Sequence, residues 1–239
     1  MEKPVLDPWE NFWQYSWEMI DLHTHSLLSD GVLLPAELVQ QAKKLGYQAL
    51  AITDHCDASN LEEIMQKLKR FIKSLPKDTD IEVLFGVELT HLYPEQIPKM
   101  VRKARRLGAE LVVVHGETLV EPVPPGTNRR AIEAGADILA HPGLITPELV
   151  RLASKKGVML EITTRRGHCY TNGWVAQLAR EYNAPLVLNT DAHLPEDLVD
   201  WESAKKIAQG AGLLAEEIEQ LLKNSRVLVK RGLGRRKAK

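Results

Sequence analysis

Two histidines stand one residue apart in Asp21-Leu22-His23-Thr24-His25, directly after the apolar pair Met19-Ile20. This position predicts the carboxyl end of a β-strand, on which alternate side chains point to the same face. Two imidazoles on one face can bind a single metal ion. The alternative is a pair of polar residues at a strand end, and the positions of the other histidines decide between the two interpretations.

Further histidines and carboxylates end most of the other predicted strands, which we place at 49–53, 81–85, 111–114, 137–140, 158–162 and 185–189. Continuous apolar strands that alternate with helices are typical of parallel βαβ units buried on both faces. About seven such units favour a closed barrel, whose carboxyl rim would gather these side chains. The candidate metal ligands are His23, His25, Asp30, His55, Glu88, His115, His141, Asp191 and His193.

These residues resemble the PHP (polymerase and histidinol phosphatase) family of metal-dependent phosphoesterases. The resemblance covers about residues 19–225. It implies an α/β fold, a distorted (β/α)7 TIM-like barrel, with three divalent transition metal ions (Zn, Mn or Fe). The matching motifs are Asp21-Leu22-His23-Thr24-His25-Ser26, Ser29-Asp30-Gly31, Ile52-Thr53-Asp54-His55, Gly86-Val87-Glu88, Val114-His115-Gly116, Ala140-His141-Pro142-Gly143 and Asn189-Thr190-Asp191-Ala192-His193.

The resemblance also implies how the ligands are shared among the ions. The first ion would be held by His23, His25, Glu88 and Asp191. The second would share Glu88 and add His115 and His141. The third would be held by Asp30, His55 and His193, with Asp30 standing where some phosphatase members carry histidine.

The charge of such a site suits a phosphate. Three divalent ions and the carboxylates of Asp30, Glu88 and Asp191 leave roughly +3, which attracts a phosphate dianion. We therefore expect a metal-dependent phosphoric monoester hydrolase of the histidinol phosphatase type, acting on a small-molecule phosphate ester. A metal-bound hydroxide would be the nucleophile, so Glu88 and Asp191 count as catalytic residues as well as ligands.

A polar loop predicted at 163–173, between strand six and a helix starting at Trp174, supplies second candidates. Arg165 could bind phosphate oxygens through its planar guanidinium, with Arg166 as the weaker choice. His168 could donate a proton to the leaving group, or it could be a surface histidine.

Three further positions have supporting roles in the prediction. Asp54 could orient a metal ligand, and Glu161, inside strand six, needs a buried partner. His91 is placed beside the site or on the surface, and a proline-rich loop at 116–128 could shape one wall of it.

Other functions stay open. One is a phosphodiesterase or exonuclease on nucleic-acid ends, although no basic and aromatic stripe favours nucleic acid as a partner. Another is a metal-dependent amidohydrolase, which also uses two histidines on a first barrel strand, but Asp30, Glu88 and the pair Asp191 and His193 argue against it. A non-catalytic metal module is the third, and the complete ligand set argues against that.

Composition adds broad limits. The chain has 239 residues, a formal net charge of −1 and 44% hydrophobic residues, enough for one large domain and without a strong field for nucleic acid or membrane. Its two cysteines, Cys56 and Cys169, have no metal-binding or redox spacing, which favours the cytoplasm. Because no apolar run is long enough for a membrane span and no signal peptide opens the sequence, we expect no membrane partner.

We divide the chain into three parts: an aromatic helical extension at 1–18, the PHP barrel at 19–232 and a basic disordered tail at 233–239. The extension contains a helix predicted at 7–17, with Asp7 as its cap and Pro8 at its first position, and its aromatic residues share one face: Trp9, Phe12, Trp13 and Trp17. That face could plug the barrel floor, line the substrate site or mediate a homo-oligomer contact.

Overall fold

The computed structural model describes residues 19–76 and 79–237, in which parallel strands alternate with helices. The strands are β1 (Ile20–Thr24), β2 (Ala49–Ile52), β3 (His55–Cys56), β4 (Glu82–Leu89), β5 (Leu111–His115), β6 (Ile138–Ala140), β7 (Met159–Thr163) and β8 (Leu186–Asn189). The helices are α1 (Pro35–Lys44), α2 (Leu61–Ser74), α3 (Ile97–Leu107), α4 (Thr127–Ala134), α5 (Pro147–Lys156), α6 (Asn172–Tyr182), α7 (Trp201–Gly210) and α8 (Ala215–Lys237).

The strands form one curved sheet in the order β1-β2-β4-β5-β6-β7-β8, and the short β3 continues β2 along β4. A parallel bridge between Thr24 and Ala192 joins β1 to the segment that follows β8. Counted with β2 and β3 as one strand, the sheet is a nearly closed barrel of seven parallel strands. The predicted distorted (β/α)7 TIM-like barrel is confirmed.

Local sequence explains where the helices begin and end. Helix α5 is an example: the Thr146 hydroxyl caps the helix by accepting a hydrogen bond from Leu149 N, and Pro147 occupies the first helical position. The helix ends at Gly157, whose φ of 67° places it in the left-handed region that glycine tolerates. Each such helix returns the chain to the start of the next parallel strand.

Every residue of β1, β2, β5, β6, β7 and β8 is buried, and β3 and β4 are buried except for their first residues, His55 and Glu82. Most of these residues are aliphatic, and burying one such side chain stabilises the fold by roughly 1.5–3 kcal/mol. The exceptions are polar side chains on buried strands, among them His23, Glu88, Glu161 and Asn189. Because buried polar groups are costly without partners, these exceptions locate the functional end of the barrel.

Two predicted boundaries near the site are wrong. The strand predicted at 81–85 is β4, which continues past Phe85 to Leu89. The segment predicted as a polar loop at 163–173 contains a 3-10 helix at His168–Thr171, and α6 begins at Asn172, not at Trp174. The reason is the Asn172 side chain, which accepts from Thr163 N at 3.2 Å and donates to Thr163 O at 2.8 Å. These bonds tie the start of α6 to the end of β7.

The prediction of a disordered basic tail is also wrong for residues 233–237, which continue α8. Arg235 donates to Asp137 through two nitrogens at 3.0 Å, and Arg236 donates to Glu110 at 2.5 and 2.8 Å. Asp137 and Glu110 are buried just before β6 and β5, at the amino end of the barrel. Buried carboxylates need partners, so these arginines hold the last helical turns against the barrel floor.

The proposed aromatic extension at 1–18 lies outside the described residues, so its roles stay predictions. Among the helices that the structure describes, none is both long and apolar enough to cross a membrane.

Removal of residues 234–239 should therefore destabilise the protein. We expect a loss of at least about 2 kcal/mol in the free energy of unfolding, because Glu110 would stay buried without Arg236 and Asp137 would keep Arg105 but lose Arg235. Urea unfolding followed by circular dichroism measures the loss. Arg129→Ala, which breaks an ion pair with Glu148 on the surface, is the control and should leave the midpoint unchanged. An unchanged midpoint for the truncated protein would instead support the prediction of a disordered tail.

Candidate metal centre

His23 of β1 and His25, which directly follows β1, reach the carboxyl rim and meet acidic side chains there. Their rings are buried, with centroids 5.1 Å apart. His23 Nε2 lies 3.3 Å from Glu88 Oε1, and His25 Nε2 lies 3.1 Å from Asp191 Oδ1. Alternation along one strand therefore points both imidazoles at carboxylates supplied by β4 and by the segment after β8.

Glu88 occupies the middle of this cluster. Its Oε2 lies 2.6 Å from His55 Nδ1 and 3.7 Å from His25 Nε2, and its Oε1 lies 3.7 Å from His141 Nε2. Asp191 is a second shared carboxylate, with oxygens 3.6 Å from both His23 Nε2 and His141 Nε2. Two carboxylates that face several imidazoles each can bridge cations held by different histidines.

A more open group lies at the outer edge. His193 Nε2 is 3.3 Å from Asp30 Oδ1 and 3.4 Å from His55 Nε2, and His55 Nε2 is 3.6 Å from Asp30 Oδ1. The approach of the Asp30 loop depends on Gly31, because a Cβ at this position would lie 2.5 Å from the carbonyl oxygen of His25. His115, whose ring centroid lies 4.4 Å from that of His141, completes the set, so all nine predicted ligands stand at one rim; their assignment to particular ions stays a prediction.

Buried polar atoms provide a test of whether the cluster suits cations. Within the described residues, His23 Nε2, His25 Nε2, Glu88 Oε1 and Asp191 Oδ1 are buried and make no hydrogen bond. Such orphaned atoms are expensive in a protein interior, and here they converge on one another. Divalent cations would satisfy all four at once, so the residues present fit a metal centre.

The backbone at the rim is strained at the same places. His91, His141 and Asp191 adopt φ values of 51°, 26° and 54°, in the left-handed region that residues other than glycine rarely enter. Each of these conformations costs free energy that the surrounding structure must offset. Two of the three residues are predicted ligands, and the third, His91, follows β4.

Glu161 holds two of the predicted ligands in place, which answers the expectation that it needs a buried partner. Its Oε1 lies 2.9 Å from His23 Nδ1 and accepts from Asn189 Nδ2 at 2.8 Å. Its Oε2 accepts from His141 N at 3.1 Å. A carboxylate on the far nitrogen of a histidine fixes the ring and directs the other nitrogen into the site.

Asp54 acts differently from its prediction. Its carboxylate accepts from Ser26 N at 2.7 Å and from the hydroxyls of Ser26 and Ser29, both at 2.8 Å. It therefore anchors the loop after β1 that carries Asp30. His55 is oriented by Thr90 instead, whose hydroxyl lies 2.6 Å from His55 Nδ1.

The electrostatics of the cluster follow from burial and proximity. Burial alone would raise the pKa of Glu88, but the neighbouring His23 and His55 outweigh it and hold that pKa well below its usual range. Burial raises the pKa of Asp191 to about 6. Burial and then the proximity of His55 lower the pKa of His25 well below its usual range, which favours the neutral imidazole that a metal needs.

A cleft of about 320 Å³ opens above this cluster. It is lined by Asp30, His55, Thr90, His91, His115, Glu121, Arg165, His168, Asp191 and His193. Arg165 and His168 therefore face the site, whereas Arg166 is exposed and absent from the lining.

Arg165 and His168, the candidates for phosphate binding and proton donation, each contact a neighbouring side chain. Arg165 Nη1 donates to Asp197 Oδ2 at 2.5 Å, and the same oxygen accepts from His193 N at 2.9 Å. His168 is buried, with its Nδ1 2.7 Å from the Thr118 hydroxyl and its ring stacked on His141 at 4.1 Å. His168 is therefore not a surface histidine.

Sequence reasoning missed Glu121. This residue lies in the loop between β5 and α4, and its carboxylate contacts the rings of His91, His115 and His168. It stands six residues past the end of β5, so no strand position marked it. Only the folding of the proline-rich loop back over the rim brings it to the site.

A parallel barrel that gathers buried imidazoles and carboxylates at its carboxyl rim defines a metal-binding α/β barrel. The chain belongs to the PHP domain family, whose match covers residues 21–223. The resemblance noted from the motifs is thereby confirmed.

Several individual proteins are similar in sequence to this chain over most of its length. An uncharacterised protein of Methanocaldococcus jannaschii is 52% identical over 204 residues, which are 84% of this chain and 94% of the relative. The ribonuclease P protein component 3 of Methanosarcina mazei is 29% identical, over 84% of this chain and 83% of the relative. A probable phosphatase of Syntrophotalea carbinolica is 24% identical, over 83% and 90%.

A solved structure shares the fold. The histidinol phosphate phosphatase of Lactococcus lactis, complexed with zinc, L-histidinol and phosphate, aligns with a TM-score of 0.58 and 19% identity, over 82% of this chain and 94% of that one. Together with the ligand-like cluster, these relationships support a hydrolase of the metal-dependent phosphoesterase class.

Replacement of Glu161 by glutamine should weaken metal binding without loss of the fold. The amide keeps the shape but removes the charge that polarises His23, and such a change typically lowers metal affinity by about 10–100-fold. Competition with a fluorescent chelator measures the affinity for zinc. Glu148→Gln, on the surface of α5, is the matched control. Wild-type affinity in Glu161→Gln would show that His23 needs no carboxylate partner.

Proposed function

We propose that the protein hydrolyses a small-molecule phosphomonoester with the help of divalent transition metal ions. The observation that carries this proposal is the cluster of nine histidine and carboxylate residues below the cleft, with its orphaned buried atoms. Family membership and the phosphatase relatives support the reaction class. A histidinol-phosphate-like substrate is the specific choice that the structural neighbour suggests.

Three ions, of zinc, manganese or iron, are the proposed complement. The first would be held by His23, His25, Glu88 and Asp191. The second would be held by Glu88, His115 and His141. The third would be held by Asp30, His55 and His193. When bound, such ions lower the pKa of coordinated water and stabilise charge on the entering and leaving oxygens of the phosphate.

The protein's own groups would bind and orient the ester. Arg165 lines the cleft, and its contact with Asp197 uses Nη1 alone, which leaves other guanidinium donors for phosphate oxygens. His168 faces the same cleft, with Nδ1 beside Thr118 and Nε2 3.9 Å from Asp191 Oδ2. A fixed imidazole in this position could hand a proton to the leaving alcohol.

The size and surroundings of the cleft favour a small substrate. A volume of about 320 Å³ is near the lower end of the range of small-molecule pockets. Of the twelve large apolar side chains that are exposed in residues 19–76 and 79–237, nine lie on segments that follow strands, so the rim presents apolar side chains, whereas a nucleic-acid surface is typically basic. They are Leu27, Val32, Leu34, Tyr93, Leu119, Val120, Leu144, Tyr170 and Leu194.

A phosphodiesterase on nucleic-acid ends is the second candidate. The ribonuclease P component relative favours it, and so do Tyr93 and Tyr170, each 70% exposed on the rim side, because bases stack on aromatic rings. The same metal centre would serve either ester. The two candidates differ in whether the leaving group is small or a polynucleotide.

A substrate panel tests the proposal. The zinc- or manganese-loaded protein should hydrolyse p-nitrophenyl phosphate faster than bis(p-nitrophenyl) phosphate or a 5′-phosphorylated RNA oligonucleotide, and chelation should abolish the activity. Hydantoin should not be cleaved. Preference for the RNA would establish the second candidate, and cleavage of hydantoin alone would support an amidohydrolase.

Glu88→Gln, purified in the same way, excludes a contaminating phosphatase. Its kcat should fall by at least roughly a thousandfold, about 4 kcal/mol of barrier, because the amide cannot bridge two cations.

Arg165→Ala should raise KM for the phosphomonoester by up to about a hundredfold if the guanidinium binds phosphate. Because Asp197 also accepts from His193 N, metal content must be measured on the same sample. Lost metal would reveal a structural role for Arg165, and unchanged KM with full metal would remove it from the substrate site. Arg166→Ala is the neighbouring control and should leave KM unchanged.

A further inference from the structure

The loop between β5 and α4 holds an acidic side chain against the predicted ligand His115. Glu117 fixes this loop, because its Oε1 accepts from Gly126 N at 3.0 Å and from Asn128 N at 2.9 Å. The Asn128 side chain in turn accepts from Glu117 N at 2.9 Å and donates to Pro142 O at 2.8 Å. The path that carries Glu121 over the rim is thus set by bonds to α4 and to the segment after β6.

The carboxylate of Glu121 faces three imidazoles. Its Oε2 lies 2.9 Å from His115 Nε2 and 3.1 Å from His91 Nε2. Its Oε1 lies 3.3 Å from His168 Nε2. Oε2 therefore sits between a predicted ligand and a histidine that neither the motifs nor the proposed ligand sets include.

These atoms have the spacing of donors around one ion. Neighbouring donors at about 2.0–2.2 Å from one ion lie about 2.8–3.6 Å from each other when the angle at the ion is between 90° and the tetrahedral value, so small side-chain movements would suffice. The ligand atoms of His91, His115 and Glu121 all lie within 4.8 Å of one another. Two imidazoles and one carboxylate form a donor set suited to zinc and related metals.

The backbone at His91 supports a role in the site. Four non-glycine residues in the described ranges have a positive φ: His91, His141, Asn183 and Asp191. Asn183 caps the carboxyl end of α6, a position that asparagine tolerates. The other three are at the rim, and His91 shares this costly conformation with two predicted ligands.

We propose that His91 and Glu121 are additional ligands of the metal ion that His115 binds. The inference rests on the proposed metal centre, to which it adds two loop residues beyond the strand ends. A His–Glu–His ion pair without metal would give the same short distances, so the experiment must read out metal binding itself.

Zinc titration of the chelator-stripped full chain, by isothermal calorimetry, provides this readout. Glu121→Gln and His91→Ala should each weaken the binding of one ion by at least about tenfold. The double variant should weaken the binding of this ion further and leave the binding of the other ions unchanged, because both residues serve the same ion. Glu95→Gln, an exposed glutamate of the preceding rim loop, is the matched control and should titrate like the wild type.

Cobalt substitution adds a spectroscopic test. The visible absorption of cobalt at this position should change in both variants, because each removes a ligand. Thermal melts with excess chelator should match the wild type, since His91 and Glu121 are about 40% exposed. Unaltered zinc titrations and cobalt spectra in either folded variant would overturn the paired assignment.

The titration also separates this inference from the proposed function. If Glu88→Gln loses zinc while Glu121→Gln and His91→Ala keep it, the metal centre stands and the loop ligands fail. If the wild type itself binds less than one zinc per chain, the metal centre fails as a whole.

Discussion

The cost of burying charge governs this structure. Glu88 is fully buried, Asp191 is nearly so, and both stand among imidazoles at the mouth of a barrel whose strands are otherwise aliphatic. Taking such charged side chains out of water costs several kcal/mol for each of them unless they have partners with good geometry. Histidines at the ends of β1, β5 and β6 or directly after them supply part of the compensation, and the orphaned atoms between them are the part that suits metal cations. A site of this kind is stable only where a rigid scaffold holds every donor.

The hydrogen bonds that close the barrel also position the residues of the site. Asp21, beside His23, accepts from the Thr190 hydroxyl at 2.5 Å and from Thr190 N at 3.2 Å, and so ties β1 to the segment after β8. Burial raises the pKa of Asp21 to about 7, against the opposing effect of the Thr190 bonds. Glu161 joins β7 to both β1 and β8 through His23 and Asn189. The bonds that hold the sheet in its curve therefore also aim the ligands.

The buried carboxylates at the two ends of the barrel have different partners. At the amino end, Asp137 pairs with Arg105 and Arg235, and Glu110 pairs with Arg236, so carboxylates there meet permanent cations. At the carboxyl end, carboxylates meet imidazoles, which can release their protons to accept metal. Because the partners differ, the ion pairs at the amino end stabilise the fold, whereas the cluster at the carboxyl end is suited to binding metal.

The sequence by itself determined the alternation of strands and helices and the gathering of most of the predicted ligands at one rim, because a residue at the end of a parallel strand must reach that common rim. Periodicity and strand position are local properties, so they can be read without the fold. The position of Glu121, the anchoring of the Asp30 loop by Asp54 and the helical structure of residues 233–237 could not be predicted in this way. Glu121 reaches the site only because its loop folds back over the rim. Arg235 and Arg236 are held in place because they pair with the buried Asp137 and Glu110 at the barrel floor. Such contacts join residues far apart in the chain, and tertiary packing alone decides them.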